Sequence, residues 1–418
     1  MSARCATIPI AGLVSAEFLS LLGNQVAAVA IPILVLQYTQ SPMVTAIAGA
    51  GSVLPIVIAA LIGGKAIDRF GAWLLSVVSD LLSCISVLAL PLAFMYSSNI
   101  SPALVFLLVF VGALFDPTGI AARQTLVPSL TRLAGQPLER INTLRGGLEN
   151  AADFIGPIIA VGLIASIGSV NTFFANAASF LFCAVIFALA VPRKRNRSSE
   201  NARSDALRGA RFVFGQPQLR TLAVTGMIAN FVILPFLVLL LPVLAIQVFG
   251  NPTLLGMCLS AFGISATIGA LSFSKISGFF SRSFIFYGGL LIAAFAIVFC
   301  GVTTTQSGVA LSSALAGLLL GASNPLEQTV LQEQTPKVFA GQVFTSLTAI
   351  RFAGGPIGLL LAGVLIEITG VNVVLVLGGG LLIIAAILGW YVSPLRGKPK
   401  HFAGETSAPA ANSQGADL

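Results

Sequence analysis

Apolar runs of about twenty residues recur twelve times along this 418-residue chain, each long enough to cross the roughly 30 Å hydrocarbon layer of a bilayer as an α-helix. Backbone in lipid must satisfy its own N–H and C=O groups, which restricts spanning structures to helices and closed barrels. Barrel strands would read as alternating segments of about ten residues, a pattern the sequence does not show. Only 9% of residues are charged against 56% hydrophobic, whereas a soluble domain carries about a quarter charged. The expectation is an all-α integral membrane protein. The runs predict helices at roughly 10–36, 43–64, 73–96, 102–120, 144–167 and 171–191, then at roughly 219–247, 253–274, 284–304, 308–326, 345–368 and 372–393.

The charges set the topology. Arg4 precedes the first helix, and Lys65 and Arg69 follow the second. Arg123, Arg132, Arg140 and Arg145 surround the fourth loop, and eight basic residues lie between Arg193 and Arg220. Lys275 and Arg282, Lys337 and Arg351, and finally Arg396, Lys398 and Lys400 complete the 22. The odd-numbered loops hold none. By the positive-inside rule, both termini are expected in the cytoplasm. The net charge of +8 is thereby explained by topology, and no nucleic-acid partner is expected. The five cysteines (Cys5, Cys84, Cys183, Cys258, Cys300) are scattered without metal-like spacing and read as small apolar side chains.

The chain repeats itself. Pro32 to Gln37 followed by Pro42 matches Pro242 to Gln247 followed by Pro252, at an offset of 210. Asp116-Pro117 matches Asn324-Pro325 at an offset of 208, and Gly156-Pro157 matches Gly355-Pro356 further on. The expected organisation is a six-helix half over 1–192, a cytoplasmic linker over 193–218, a second half over 219–393 and a disordered cytoplasmic tail over 394–418. Within the linker, the stretch from Asp205 to Phe214 reads as a short amphipathic helix lying on the inner leaflet. Parallel repeats of this kind bind substrate between the halves and rock to alternate access.

Ionisable groups inside a membrane are costly and mark function. Glu17 shares a face of helix 1 with Ser20, Asn24 and Gln25, a polar stripe expected to line the cavity. Arg145, Glu149 and Asp153 follow at i, i+4 and i+8 on helix 5, so that Arg145 is expected to satisfy Glu149. Asp153 lies deeper, with no partner on its own helix. A desolvated carboxylate there is suited to loading and releasing a proton. The only histidine, His401, lies in the tail, so a proton relay has to use Asp153, Glu149 or Glu17. Glu149 serves either in that relay or as an ion-pair partner, and Glu17 either in the relay or in holding substrate or water. Asn230 and Gln247 on helix 7 are further pathway candidates. Glu327 and Glu333 are expected at the solvated end of helix 10, and Glu367 at the interface beyond helix 11.

The string Gly64-Lys65-Ala66-Ile67-Asp68-Arg69-Phe70-Gly71, placed after helix 2, resembles the G-x-x-x-D-R-x-G signature of the major facilitator superfamily. Leu138 to Asn142, Gly156-Pro157 and Gly355 to Gly358 extend the likeness to the multidrug and macrolide efflux branch, with the Tap-type pumps, and to related siderophore exporters. The resemblance covers roughly residues 10–393 and implies the major facilitator fold, with two pseudo-symmetric six-helix bundles. It implies a cytoplasmic gate at Gly64, Asp68, Arg69 and Gly71. Physically, the glycines suit a tight turn and an acid–base pair can latch one arrangement. In that gate Asp68 faces a helix N-terminus of the other half and Arg69 pairs with Asp116, or else Lys65 and Arg69 serve only to set the topology. Gly156-Pro157 resembles the core of the helix-5 motif of antiporters, whose family form has further glycines where this chain has Thr143 and Ala152. Physically, Gly156, Pro157, Gly355 and Pro356 make helices that kink and pack closely.

No nucleotide-binding loop, metal cluster or nucleophile–base set is present in the sequence, so an enzyme is not expected. The expected function is secondary export of amphiphilic drugs or antibiotics across the cytoplasmic membrane by proton antiport, with no cofactor beyond the proton gradient. Its partners are a small-molecule substrate and the lipid bilayer, and it acts as a monomer. The alternatives are a dedicated exporter of an endogenous metabolite such as a siderophore, or a non-transporting sensor or scaffold.

Overall fold

A computed structural model of the chain describes residues 3–96, 100–193, 206–335 and 340–392. The expected disordered tail, with His401, and the first part of the linker lie outside them. Among the described residues there is no strand, and twelve helices are long and apolar enough to cross a membrane. Helices 1–3 are Ala3–Thr39, Pro42–Phe70 and Ala72–Tyr96. Helix 4 comprises Pro102–Leu114 and Asp116–Ala134, helix 5 is Leu138–Ile167 and helix 6 is Ser169–Ala190. After a linker helix, Ala206–Gly215, come helix 7 (Pro217–Val248), helix 8 (Pro252–Phe279) and helix 9 (Phe284–Val302). Helix 10 comprises Gln306–Gly321 and Ser323–Gln334, helix 11 is Ala340–Thr369 and helix 12 is Val371–Val392.

Local chemistry starts these helices. Ser41, Ser101 and Asn251 each precede a proline and accept from the backbone N–H of Val44, Leu104 and Thr253 at 3.3, 3.2 and 3.1 Å. Each pairs an N-cap with a proline at the first helical position, where the missing N–H costs nothing. Prolines also interrupt. Helix 4 breaks at Phe115 ahead of Asp116-Pro117, and helix 10 breaks at Ala322 ahead of Asn324-Pro325. The sequence repeat thus becomes a shared kink, because proline cannot donate to the preceding turn.

Several boundaries differ from expectation. Helices 4 and 10 run past 120 and 326 to Ala134 and Gln334, since the kinks redirect them without ending them. Arg123 therefore lies inside the first bundle, with 1% exposure, and not in a loop. Helix 2 continues through Phe70, so Gly64 to Phe70 form its last turns and only Gly71, at φ +84°, makes the turn to helix 3. The linker helix also differs. Its Gly209 faces the Gln342 carbonyl, where an added Cβ would come within 2.3 Å, and Val213 is fully buried. It packs against helix 11 of the second half, because this apolar face finds a protein groove.

Twelve spans bring both ends of the described chain to one face, here termed the terminal face. Toward the opposite, far face, one apolar core joins the halves: Val29, Ile33 and Ala50 of the first pack with Phe236, Leu244 and Leu359 of the second. Toward the terminal face the cores are separate, one built on Leu13, Ala122, Leu126 and Phe187, the other on Leu222, Tyr287, Leu326 and Leu347. The halves are closed against each other on one side and independent on the other.

Candidate functional site

The seam between the halves is built by small residues. Gly49 and Gly363 bring helices 2 and 11 together, an added Cβ meeting Leu359 at 3.3 Å from the first and Ala46 at 2.6 Å from the second. Helices 5 and 8 meet through Gly256, whose Cβ would stand 2.1 Å from Val161, and through Gly263, at 2.9 Å from the Asp153 carbonyl. Ser260 adds a hydrogen bond to the Phe154 carbonyl at 3.2 Å. Asp153 sits at the terminal-face member of these helix 5–helix 8 contacts, where the joined core gives way to separate ones.

A ladder of charges descends from Asp153 toward the terminal face. Gly156 lets helix 1 approach so closely that a Cβ would fall 2.3 Å from that of Gln25. The approach lets the Gln25 amide donate to Asp153 Oδ1 at 2.7 Å. Two turns away, Arg145 donates to both oxygens of Glu17, Nε to Oε2 at 2.6 Å and Nη2 to Oε1. Glu149 lies between these two partnerships and is exposed. The stripe on helix 1 divides: Gln25 and Glu17 turn to helix 5, while Ser20 donates to Asp80 Oδ1 of helix 3 at 3.4 Å. Asn24 is half-buried between them.

Spacing alone pairs Arg145 with Glu149, but the structure pairs it with Glu17. A base four residues before an acid is the weaker orientation of an i, i+4 pair on a helix. Glu17, at 6% exposure, is also the acid that most needs a charged partner. Glu327, expected in solvent, is 5% exposed and paired with Arg351, because helix 10 extends past it. Glu333 meets Arg282 through two hydrogen bonds of 2.6 and 2.7 Å at the terminal face.

The expected Arg69–Asp116 pair is not formed in this conformation. Arg69 ends helix 2 stacked on the Phe70 ring at 5.5 Å, while Asp116 starts the second segment of helix 4 and accepts from Ser83. Gly64 and Asp68 lie in helix 2, but their surroundings are outside the described residues. Asn230 donates to the Gly226 carbonyl of its own helix at 2.9 Å. Gln247 lies at the far face, donating across the halves to the Gln40 carbonyl at 3.1 Å, and Ser41 donates to Glu367 at 3.1 Å beside it. Gly355 and Pro356 lie in helix 11, where a Cβ on Gly355 would meet Leu234 at 2.3 Å.

Asp80 is a member of the site region that sequence reasoning missed. Its helix buries Ser76, Ser79, Asp80 and Ser83, at i, i+3, i+4 and i+7. That single-face polar stripe in an apolar helix is the signal that points to it.

Twelve helices in two halves, an internal repeat and a charged seam define a membrane transport protein. The Major Facilitator Superfamily model matches residues 13–359 and 251–414, and the chain belongs to that family. Among relatives, the multidrug efflux pump Tap of Mycolicibacterium fortuitum is 32% identical over 84% of this chain and 87% of its own. An enterobactin exporter, EntS of Escherichia coli, is 26% identical over 68% of each chain. The crystal structure of the nucleoside transporter NupG superposes with a TM-score of 0.73 at 14% identity, over 92% of this chain and 98% of that one; this likeness is one of fold. The chain is a multi-pass transporter and not an enzyme.

Proposed function

We propose that this protein exports amphiphilic small molecules across the cytoplasmic membrane in exchange for protons, by alternating access between its halves. The observation that carries the reading is the carboxylate ladder at the point where the seam opens toward the terminal face. The distribution of basic residues makes that face cytoplasmic, so the conformation described receives substrate from inside. The resemblance to Tap supports export of drugs.

Asp153 is the proton carrier best placed for this role. Ionised, it holds Gln25 and keeps helices 1 and 5 in register at the seam; protonated, it weakens that bond. Glu17 with Arg145, and the exposed Glu149, form the wall a cationic or amphiphilic substrate meets. Residues 1–192 and 219–393 move as the two bodies, with the linker helix riding on the second. The gate formed by Gly64, Asp68, Arg69 and Gly71 closes the cytoplasmic side in the alternate conformation, where Arg69 reaches Asp116. The kinks at Gly156-Pro157 and Gly355-Pro356 let helices 5 and 11 bend as the halves rock. One chain suffices.

The test is accumulation of ethidium and antibiotics in an efflux-deficient bacterial host, with and without a protonophore. Wild type is expected to lower accumulation, and the protonophore, Asp153→Asn or Glu17→Gln to reverse the effect. Unchanged accumulation across a broad panel, with the protein present in the membrane, defeats the multidrug reading. The similarity to an enterobactin exporter favours a second reading, export of one endogenous siderophore. It is detected as loss of a secreted compound without drug resistance. A scaffold tolerates neutralisation of Asp153 and Glu17 together.

A further inference from the structure

We propose that Asp80, Asp116 and Arg123 form a second proton-binding site, enclosed in the first half and separate from the seam. Two carboxylates stand near one guanidinium there, which is bonded to Asp80 alone, leaving an excess negative charge. Asp80 and Arg123 are each 1% exposed and paired with one another. Ser20 also donates to Asp80, but to the oxygen that Arg123 already holds. Asp80 Oδ2 is left buried without a partner, as are Nε and Nη1 of Arg123. An acceptor and two donors are thus open within one charged cluster, and such atoms are costly to leave unmet.

Asp116 completes the cluster. It accepts from Ser83, one turn along helix 3 from Asp80, and lies near enough to feel the charges of both Asp80 and Arg123. Helix 6 contributes the Cys183 thiol and the Phe187 ring, whose centroid is 6.0 Å from the Arg123 guanidinium carbon. Helix 1 contributes Ser20, while its Glu17 is engaged by Arg145. The described basic group of helix 2, Arg69, is stacked on Phe70. Arg123 is therefore the cation that faces the two acids.

A lone excess charge in a low-dielectric interior is relieved most simply by a proton. Asp116, half-buried at the helix-4 break, is the acid that exchanges it. With the proton bound, Asp116 is neutral and Arg123 belongs to Asp80. When the proton leaves, the open Nε and Nη1 donors of Arg123 turn to Asp116 on the same helix, so that Arg123 is shared between Asp116 and Asp80 of helix 3. The site's use in transport rests on the proton-driven reading, whereas its existence does not.

Infrared difference spectroscopy of the full chain in lipid nanodiscs tests this, reading the carboxylic-acid C=O band through a pH titration. Glu149→Gln with Asp153→Asn provides the background, so that these seam acids are silent. The expected result is a titrating band that Asp116→Asn removes and Ser83→Ala shifts in frequency by taking away a hydrogen bond. A band that survives Asp116→Asn at full strength overturns the proposal. If Asp116→Asn does not yield folded protein, Ser83→Ala decides, and an unmoved band rejects the site. Removal of the band by Asp116→Asn alongside failed proton-driven efflux keeps the site and discards its use. Intact efflux with an indifferent band discards the site and leaves the proton-driven reading standing.

Discussion

Helices 3 and 9 occupy equivalent places in the two halves, yet helix 3 buries Asp80 among serines while helix 9 carries no charged residue. The contrast extends outward. The first half encloses Asp80–Arg123 and Glu17–Arg145, and presents Glu149 and Asp153 to the seam. The second half encloses Glu327–Arg351 and carries the more exposed Arg282–Glu333 at the terminal face, and relies elsewhere on backbone contact. Helices 8 and 10 touch at Gly269, Gly317 and Gly321, where added Cβ atoms would fall 1.9, 2.2 and 2.0 Å from carbonyl oxygens of the facing helix. The equivalent contact of helices 2 and 4 has Gly51, at a looser 3.1 Å. Helix 7 also relaxes into π-turns at Phe236–Leu240 and Leu244–Val248. One topology therefore supports two emphases, more deeply enclosed ion pairs in the first half and closer small-residue packing in the second.

Substitutions that break the enclosed charges test the first strategy hardest. Arg123→Ala strands Asp80 and is expected to destabilise by about 3–5 kcal/mol, the range for an orphaned buried charge. Thermal unfolding in detergent reads the loss, and adding Asp80→Ala is expected to restore much of it. In the second half, Arg351→Ala strands Glu327, but Arg351 keeps 22% of its side chain exposed. Water compensates in part there, and a smaller loss of about 1.5–3 kcal/mol follows. Equal losses at the two sites would erase the proposed difference between the halves.

Packing substitutions probe the opposite strategy. Gly269→Ala forces a methyl against the Leu318 carbonyl and is expected to cost about 1–3 kcal/mol. Gly51→Ala, at the looser contact, is expected to cost less by the same unfolding measurement. The ranking inverts if the first half is the tighter packed. The smallest effect belongs to the far face. Glu367→Ala removes the exposed bond from Ser41 while leaving the Ser41 cap in place, and is expected to change stability by under about 1 kcal/mol. A larger drop would mean that polar bonds, and not the shared apolar core, hold the halves together there.

The helix-4 boundary shows how a legible sequence misleads. Arg123 reads as loop-bound because its charge interrupts the apolar run just after residue 120, and charge is a costly thing to keep in a helix in lipid. The kink lets the helix continue, and Asp80 from another helix makes Arg123 tolerable inside. The same reason hid Glu327, whose partner Arg351 is on the next helix. The polar candidates on helices 1 and 5 were legible because period and spacing place them on single faces. Their partners were not, because Arg145 had two acids in reach and only packing chose Glu17.

What the sequence determined by itself is therefore the class of the molecule: twelve apolar spans, an internal repeat that keeps its order along the chain, and basic residues alternating between loops. These follow from bilayer thickness, backbone hydrogen bonding and charge, all local properties of a span. The tertiary structure alone decided which charges meet, where helices 4 and 10 end, and that the halves share a core toward one face. Those outcomes depend on glycines such as Gly156 and Gly263 admitting a neighbouring helix, and a close approach belongs to two helices at once.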